Sequence, residues 1–266
     1  SGTWDVRTTG WIARHFTSRV FQLGRLQFEP QALDLPFAVF CSQHGAAVAI
    51  IAEGGRRFRG DGQFADADAG VPSSAEAPAS WTSRFVEDER GWRGSPVDDK
   101  GRVHQSPVFL RRGDWSLAAR RGDQVLAVHI PATGSFNGPL TGEACAESLR
   151  HAAPFFARHL PGFRPRLFTC ESWMLDPQLA RFLPPESNLV SFQRFFQLLP
   201  VPGADDRQTL ERVFGGPVAD WRDAPRDTSL RRIVADHAAA GIRWRMGAGV
   251  IVLQQGRVTR KAPGSR

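Results

Sequence analysis

The segment that most restricts the fold reads VLAVHIPATGSFNGPLTGEACAESLRHAAPFF, residues 125–156. Its first residues alternate, with Val125, Ala127 and His129 on one side and Leu126, Val128 and Ile130 on the other. Both sides are apolar up to the histidine, so this strand is expected in the centre of a sheet covered on both faces. A loop over 132–140, rich in Gly, Ser and Asn, follows. From 141 the spacing changes to threes and fours, through Cys145, Ser148, Leu149, Ala152, Phe155, Phe156, His159 and Leu160. That pattern predicts an amphipathic helix with Thr141 as N-cap and a kink at Pro154. A crevice is expected where the strand ends, and the loop N–H groups and helix N-terminus there suit a phosphate or pyrophosphate. The same glycines serve equally as a tight turn, since no GxGxxG or P-loop pattern accompanies them.

Around this unit the other elements can be read in order. VFQLGRLQFEP (20–30) alternates as a strand, and Pro30 and Pro36 mark a turn region. AVFCSQHGAAVAIIAEGG (38–55) reads as a hairpin about Gln43-His44-Gly45. Residues 60–80 are small, polar and proline-dotted, which predicts a loop. A second hairpin is expected over Trp81–Leu110, turning at Asp98-Asp99-Lys100-Gly101, then two strands over 115–131 split by Arg121-Gly122-Asp123. PRLFTCESWML (165–175) is a strand, and Asp176-Pro177 opens a helix that Pro184-Pro185 stops. A short helix over SNLVSF and a strand over 195–201 follow. Asp205 or Asp206 caps a helix ending at Gly215-Gly216, and Asp227 or Thr228 caps another that Gly241 closes. MGAGVIVL (246–253) is the last strand, and the remainder reads as a frayed tail. Antiparallel strands followed by strand–helix alternation predict an α+β or α/β fold with a mixed sheet.

Composition narrows the function classes. The net charge of +7 is almost wholly arginine, with Lys100 and Lys261 the only lysines. The arginines are scattered in pairs such as Arg111-Arg112 and Arg231-Arg232, without a dense aromatic-laced block, so nucleic acid is not favoured. Coenzyme phosphates or an acidic carrier protein would suit that charge, and so would a plain solvated surface. Cys41, Cys145 and Cys170 are too few and too far apart for a disulfide framework or a structural zinc site. The seven histidines show no metal-ligand spacing. With no run of about 18 apolar residues and no signal-peptide pattern, no membrane span and a cytoplasmic location are expected.

The candidate chemistry gathers at strand ends. His129 is a candidate general base or a structural histidine bonded to a backbone group. On the strand over 165–175, Cys170 and Ser172 share one side, and Thr169, Glu171 and Trp173 the other. Cys170 with His129 would make a nucleophile pair if the strands are neighbours, although a free Cys is usually packing. Ser172 is a candidate for binding or proton delivery and Glu171 for a second acid or base. Ser187 and Asn188 read first as a helix cap, at a place that also allows a ligand contact.

Several of these stretches resemble bacterial GNAT-like acyltransferases. They are FQLGRLQFE (21–29), GDQVLAVHIP (122–131), the Gly138-Pro139-Leu140-Thr141 run with the helix carrying Phe155-Phe156, CESWMLDPQL (170–179), LPPESNLVSFQRF (183–195) and TSLRRIVADHAAAGIRW (228–244). The resemblance implies one GNAT-like domain over 1–266: a mixed, mostly antiparallel sheet splayed between two central parallel strands and flanked by helices. Its strand-rich part would cover about 18–120, its strand–helix core about 121–254, and a disordered tail 255–266. It also implies a co-substrate, acyl-CoA or a phosphopantetheine-linked acyl group on a carrier protein, and no metal. On this mapping His129, Ser172 and Glu171 are the catalytic candidates. Ile130, Gly134, Ser135, Asn137, Gly138, Thr141, Ser187 and Asn188 would hold the donor, and Arg25, Gln27 and Trp173 the acceptor. The chain departs from the superfamily pattern at the strand–helix turn, where PATGSFNGPLTG replaces Arg/Gln-x-x-Gly-x-Gly/Ala and Gly142 stands where a proline is usual. It has no tyrosine to protonate a leaving thiolate, so Ser172, Ser187 or water would serve. The implied activity is transfer of an acyl group from the thioester to a small-molecule amine, by a monomer or a homodimer. A non-catalytic binding module of the same shape, or a thioester hydrolase built on Cys170 and His129, are the alternatives.

Overall fold

The structure, a computed structural model, describes residues 19–65, 79–132, 138–203, 206–216, 218–254 and 257–258. Strands β1 (Phe21–Leu23) and β2 (Leu26–Ala32) form a hairpin. The sequence predicts one strand here, because the alternation runs straight through the turn. The chain reverses at Gly24, which takes a φ of 63° that glycine adopts without strain. Pro30, expected in a turn, lies inside β2. β1 reaches only as far as Phe28, so β2 is an edge on that side at Pro30 and tolerates the missing N–H.

β3 (Phe37–Ser42) and β4 (Val48–Ala52) form the expected hairpin, and β10 (Trp115–Ala119) pairs with β3. Between them β5 (Arg57–Arg59) pairs with β6 (Ser80–Thr82), while β7 (Phe85–Glu87), β8 (Gly91–Gly94) and β9 (Val108–Arg111) make a three-stranded sheet. The single hairpin expected over Trp81–Leu110 is therefore two pairings. The turn at Asp98–Gly101 exists but is flanked only by an isolated bridge, Val97↔Val103.

The second half follows the predicted order as far as β14: β11 (Gln124–His129), α1 (Gly142–His159), β12 (Leu167–Ser172), a 3₁₀ turn (Trp173–Leu175), α2 (Leu179–Phe182), α3 (Asn188–Gln193), β13 (Gln197–Pro200), α4 (Arg207–Phe214), α5 (Ser229–Ala239) and β14 (Gly247–Gln254). A further short strand, β15 (Arg257–Val258), pairs with β14 inside the stretch expected as a frayed tail, because β14 offers it an edge at Leu253 and Gln254. Thr141 caps α1 by accepting from the Ala144 N–H, and Thr228 caps α5 from the Arg231 N–H. α1 runs through Pro154 unbroken. The ring and Arg150, whose carbonyl loses its helical donor, both face solvent. Asp206 stands at the start of α4 without a capping side-chain bond, and Asp205 lies outside the described residues.

The main sheet runs β1-β2-β11-β12-β14-β13, with β15 paired to β14. Its pairings are antiparallel except β11 with β12, which are parallel. This parallel ladder covers Val125↔Leu167, Leu126↔Phe168 and Ala127↔Thr169 and then ends. Beyond it β11 still pairs with β2 as far as His129↔Gln27, and β12 with β14 as far as Ser172↔Gly247.

Each sheet face has its own core. On one, Leu26, Phe28, Leu126, Val128, Phe168, Cys170 and Ile251 pack against Cys145, Leu149, Ala152 and Phe156 of α1. On the other, Val125, Leu167, Val250 and Val252 meet Val39, Cys41, Ile50, Ala52 and Ala119 of the β10-β3-β4 sheet. Burying each such aliphatic or aromatic side chain contributes roughly 1.5–3 kcal/mol. A third cluster unites the helices after β12 through Trp173, Met174, Leu179, Val190, Val213, Val234 and Trp244. Among the described residues no helix is long and apolar enough to cross a membrane.

Asp176 departs from its expected role as cap of a regular helix, since only Leu179–Phe182 are helical there. It is 1% exposed and acts as a knot. Its carboxylate accepts from the Gln178 N–H (2.9 Å), the Gln178 amide (3.0 Å) and the Arg245 N–H (2.9 Å). Gln193 donates to the Met174 and Asp176 carbonyls, both at 2.8 Å, and so binds α3 to the end of β12. Burial pushes the Asp176 carboxyl above its ordinary range, against the pull of these donors. Replacing Asp176 by Ala strands the Gln178 and Arg245 N–H groups and should cost about 1–3 kcal/mol. A group whose folded value is raised supports the fold most in acid and loses that support as pH rises through it. The difference in urea midpoint between wild type and Asp176→Ala should therefore narrow from acid to alkaline pH; equal midpoints throughout would show the knot to be incidental.

Candidate active site

Register places a polar row on the sheet face away from α1. Glu29 lies opposite Ala127, Gln27 opposite His129, and Thr169 beside Ala127. Paired residues share a face, so Gln27, Glu29, His129, Thr169 and Glu171 all belong to it. The row crosses β2, β11 and β12 where the parallel ladder stops.

His129 ends β11 with its side chain 29% exposed. Its Nε2 lies 3.0 Å from Oε2 of Glu29, whose side chain is 10% exposed. A nearly enclosed carboxylate needs such a partner, because desolvating it alone is expensive. The contact holds the ring in place while the side chain keeps part of its surface exposed. Gln27 is buried beside it, and Thr169 is buried with an Oγ1 that has no hydrogen-bond partner in the structure. Glu171 is exposed at the rim.

Ser172 faces the other way. It shares the side of Cys170, which packs in the α1 core, and its Oγ accepts from the Met174 N–H at 3.2 Å. Its own hydroxyl proton is therefore not used in that bond. Cys170 is 2% exposed, and burial pushes its thiol far up. The pairing of Cys170 with His129 is corrected by this geometry: the strands are neighbours, but the two side chains lie on opposite faces.

The expected donor positions fall into three groups. Gly134, Ser135 and Asn137 lie outside the described residues, and Gly138 is exposed. Thr141 and Ser187 are both engaged as caps, Ser187 accepting from the Val190 N–H at 3.3 Å, and Asn188 is exposed at the start of α3. The two helix starts are close, since a Cβ on Gly142 would stand 3.9 Å from Ser191 Cβ. Ile130 is half-buried and packs against both the α1 core and the helical cluster. Trp173, expected at the acceptor, is buried in that helical cluster, and its backbone N–H donates to the Gln208 side-chain carbonyl at 2.9 Å. Arg25 is buried at the tip of the β1–β2 hairpin, where its guanidinium donates to the Pro131 carbonyl at 3.0 Å. Among the described residues no three His, Cys, Asp or Glu side chains gather as a metal site.

Glu29 was not legible as a site residue. The only signal is that Arg25, Gln27 and Glu29 alternate with Leu26 and Phe28, as on any half-exposed strand; register alone brings Glu29 to a histidine 100 positions away.

A mixed sheet with one central parallel pair, a helix crossing between its two strands and a polar row at their ends makes this an α+β protein. The chain belongs to the family of GNAT-like C-terminal domains, whose model matches residues 20–251. Solved structures share the fold. An acyltransferase in complex with decanoyl-CoA and teicoplanin aligns with a TM-score of 0.55 and 23% identity over 96% of this chain. An acyltransferase mutant with octanoyl-CoA and an acyltransferase with CoA and 10C-teicoplanin align with the same values. This chain spans 52% of the length of each. A comparison with curated proteins finds no match.

The facing of Cys170 leads to a direct check. Iodoacetamide should leave Cys170 unlabelled in the native protein and label it after denaturation, as read by peptide mass spectrometry. Rapid native labelling would contradict the burial.

Proposed function

We propose that this chain is an N-acyltransferase domain that moves an acyl group from a thioester, acyl-CoA first among donors, to the amine of a small molecule. The observation that carries the reading is the early end of the β11–β12 ladder, with His129 just beyond the last pair and held by Glu29. We read that end as the splay of a GNAT-like sheet. Two neighbouring strands that stop bonding to each other leave backbone groups free to bond an extended acyl–pantetheine arm.

The amine approaches from the His129 face. It attacks the thioester carbonyl as His129 takes its proton, directly or through one water. The C–N bond forms and the oxyanion is met by backbone N–H groups at the gap. The C–S bond then breaks, and the departing thiolate takes a proton. Ser172, on the α1 face with an uncommitted hydroxyl proton, is the candidate relay for that step, passing its proton to sulfur as it takes one from water, while His129 returns the amine proton to solvent. Base and acid thus stand on opposite faces, with the thioester between them. Glu29 is a positioning residue that orients the imidazole, and Glu171 lines the acceptor entrance. Alignment of the two reactants supplies most of the rate in this scheme.

The donor reading draws on the neighbours crystallised with decanoyl-CoA, octanoyl-CoA and CoA, and the acceptor reading on the teicoplanin complex. A carrier-bound acyl group is the competing donor, and we take 1–266 as a single domain acting in the cytoplasm.

Titration with medium-chain acyl-CoAs, followed by thiol-release assays over a panel of small-molecule amines, tests the proposal. His129→Ala should lower kcat by about 10²–10⁴-fold with little change in donor affinity. Glu29→Gln should lower it less and shift the acid limb of the pH–rate profile. Full turnover in His129→Ala would remove the base assignment, and an unmoved profile in Glu29→Gln would remove the positioning role.

A further inference from the structure

The backbone just past β12 finds a partner that β11 no longer offers. Ser172 keeps an extended backbone, with φ −161° and ψ 149°, so the peptide after it continues the alternation of the strand. Bonds to β14 fall on alternate residues, Arg166 among them, whose carbonyl accepts from the Leu253 N–H at 2.9 Å. Every second residue from Arg166 onward faces β14, Ser172 included. The Trp173 N–H therefore turns the other way, to the side where β11 would lie had the parallel ladder run past Ala127↔Thr169. There the Oε1 of Gln208, in the first turn of α4, accepts it at 2.9 Å.

This contact decides which way the side-chain amide faces. An N–H must meet the amide oxygen, so the Gln208 nitrogen and its two N–H donors point away from Trp173. Gln208 is half-buried, and among the described residues its nitrogen has no hydrogen-bond partner. The helix behind it is held in place: Val213 of α4 packs with Trp173, Met174 and Val234, and Ile130, which follows His129, packs against the same cluster. The residues after both parallel strands thus meet the cluster to which α4 belongs. Thr209, next to Gln208 and 1% exposed, likewise has an Oγ1 without a partner. The first turn of α4 carries more hydrogen-bonding capacity than the described residues use.

We propose that Gln208 binds a neutral oxygen of the acceptor, a carbonyl or hydroxyl a few atoms from the reacting amine, and so selects amines that carry one; the assignment rests on the acyl-transfer reading above. Glu171, which lines the acceptor entrance in that reading, lies two residues before Trp173, so the Gln208 amide stands on the acceptor's side. Being uncharged, the amide donates to such an oxygen without repelling an ammonium that has yet to lose its proton. An acceptor lacking the oxygen leaves these N–H groups unpaired against it, which weakens its binding.

Gln208→Glu separates this role from a structural one, because a carboxylate still accepts from the Trp173 N–H but has no N–H to give. The probes are glycinamide and isobutylamine, amines of nearly the same shape with and without the oxygen. Decanoyl-CoA is the donor, at about pH 8, where the new carboxylate is ionised. Wild type should prefer glycinamide in kcat/KM by about tenfold or more, and Gln208→Glu should lose about tenfold of that preference with donor KM and melting temperature unchanged. Equal preference in the two proteins, or a loss matched by a rise in donor KM, would overturn the assignment. Wild type that acylates amines without discriminating this pair would overturn it too, and leave the transfer reading intact. Wild type that acylates no amine would remove the transfer reading, and the Gln208 assignment with it. If Gln208→Glu does not fold, Gln208→Met, of similar length but without an N–H donor, carries the same comparison.

Discussion

One parallel pairing governs this architecture. β11 and β12 are bonded side by side in the same direction, so the chain between them must cross the full length of the sheet. The crossing is α1, and its apolar stripe is obliged to lie on one face. That choice leaves the opposite face to the β10-β3-β4 sheet. The flanking strands β2 and β14 then add to each member of the pair antiparallel, and keep pairing with them beyond the last rung that β11 and β12 share. Without these outer partners the ends of β11 and β12 would be left unpaired beyond the ladder.

The same constraint accounts for the chemistry at the strand ends. A sheet packed on both faces has little room for charge, yet Glu29, Gln27 and Thr169 are all buried on one face. Glu29 is tolerated because the imidazole stands against it. Thr169 Oγ1 lacks a partner at the last rung of the parallel ladder. Polar groups of this kind concentrate where the fold serves something besides its own stability.

Much of this was legible beforehand, and the reasons are specific. β11 announces itself by apolar residues on both sides, and α1 by its spacing and its threonine cap. The parity of β12 was also readable, with Cys170 and Ser172 on one side and Glu171 on the other. What parity cannot supply is the phase between strands. Only the register Ala127↔Thr169 shows that Glu171, not Cys170, shares the face of His129. The turn at Gly24 stayed hidden because hydrophobic alternation does not register a reversal when it continues in step on both sides. Asp176 has the sequence signature of a helix cap, and it does accept the Gln178 N–H; its further bond to Arg245 comes from a segment 69 positions away. Local pattern reveals elements, and long-range pairing decides which side chains meet.

The placement of β14 bears on how the molecule assembles. It lies between β12 and β13, both of which precede it in the chain, and it contributes to the cores on both faces. Two earlier strands must therefore wait, with a vacant lane between them, for a later one to be inserted. Contacts of such wide sequence separation are slow to form. Until the insertion, β12 and β13 each expose an unsatisfied edge, so the interval before β14 docks is when the polypeptide is most open to mispairing with a neighbour.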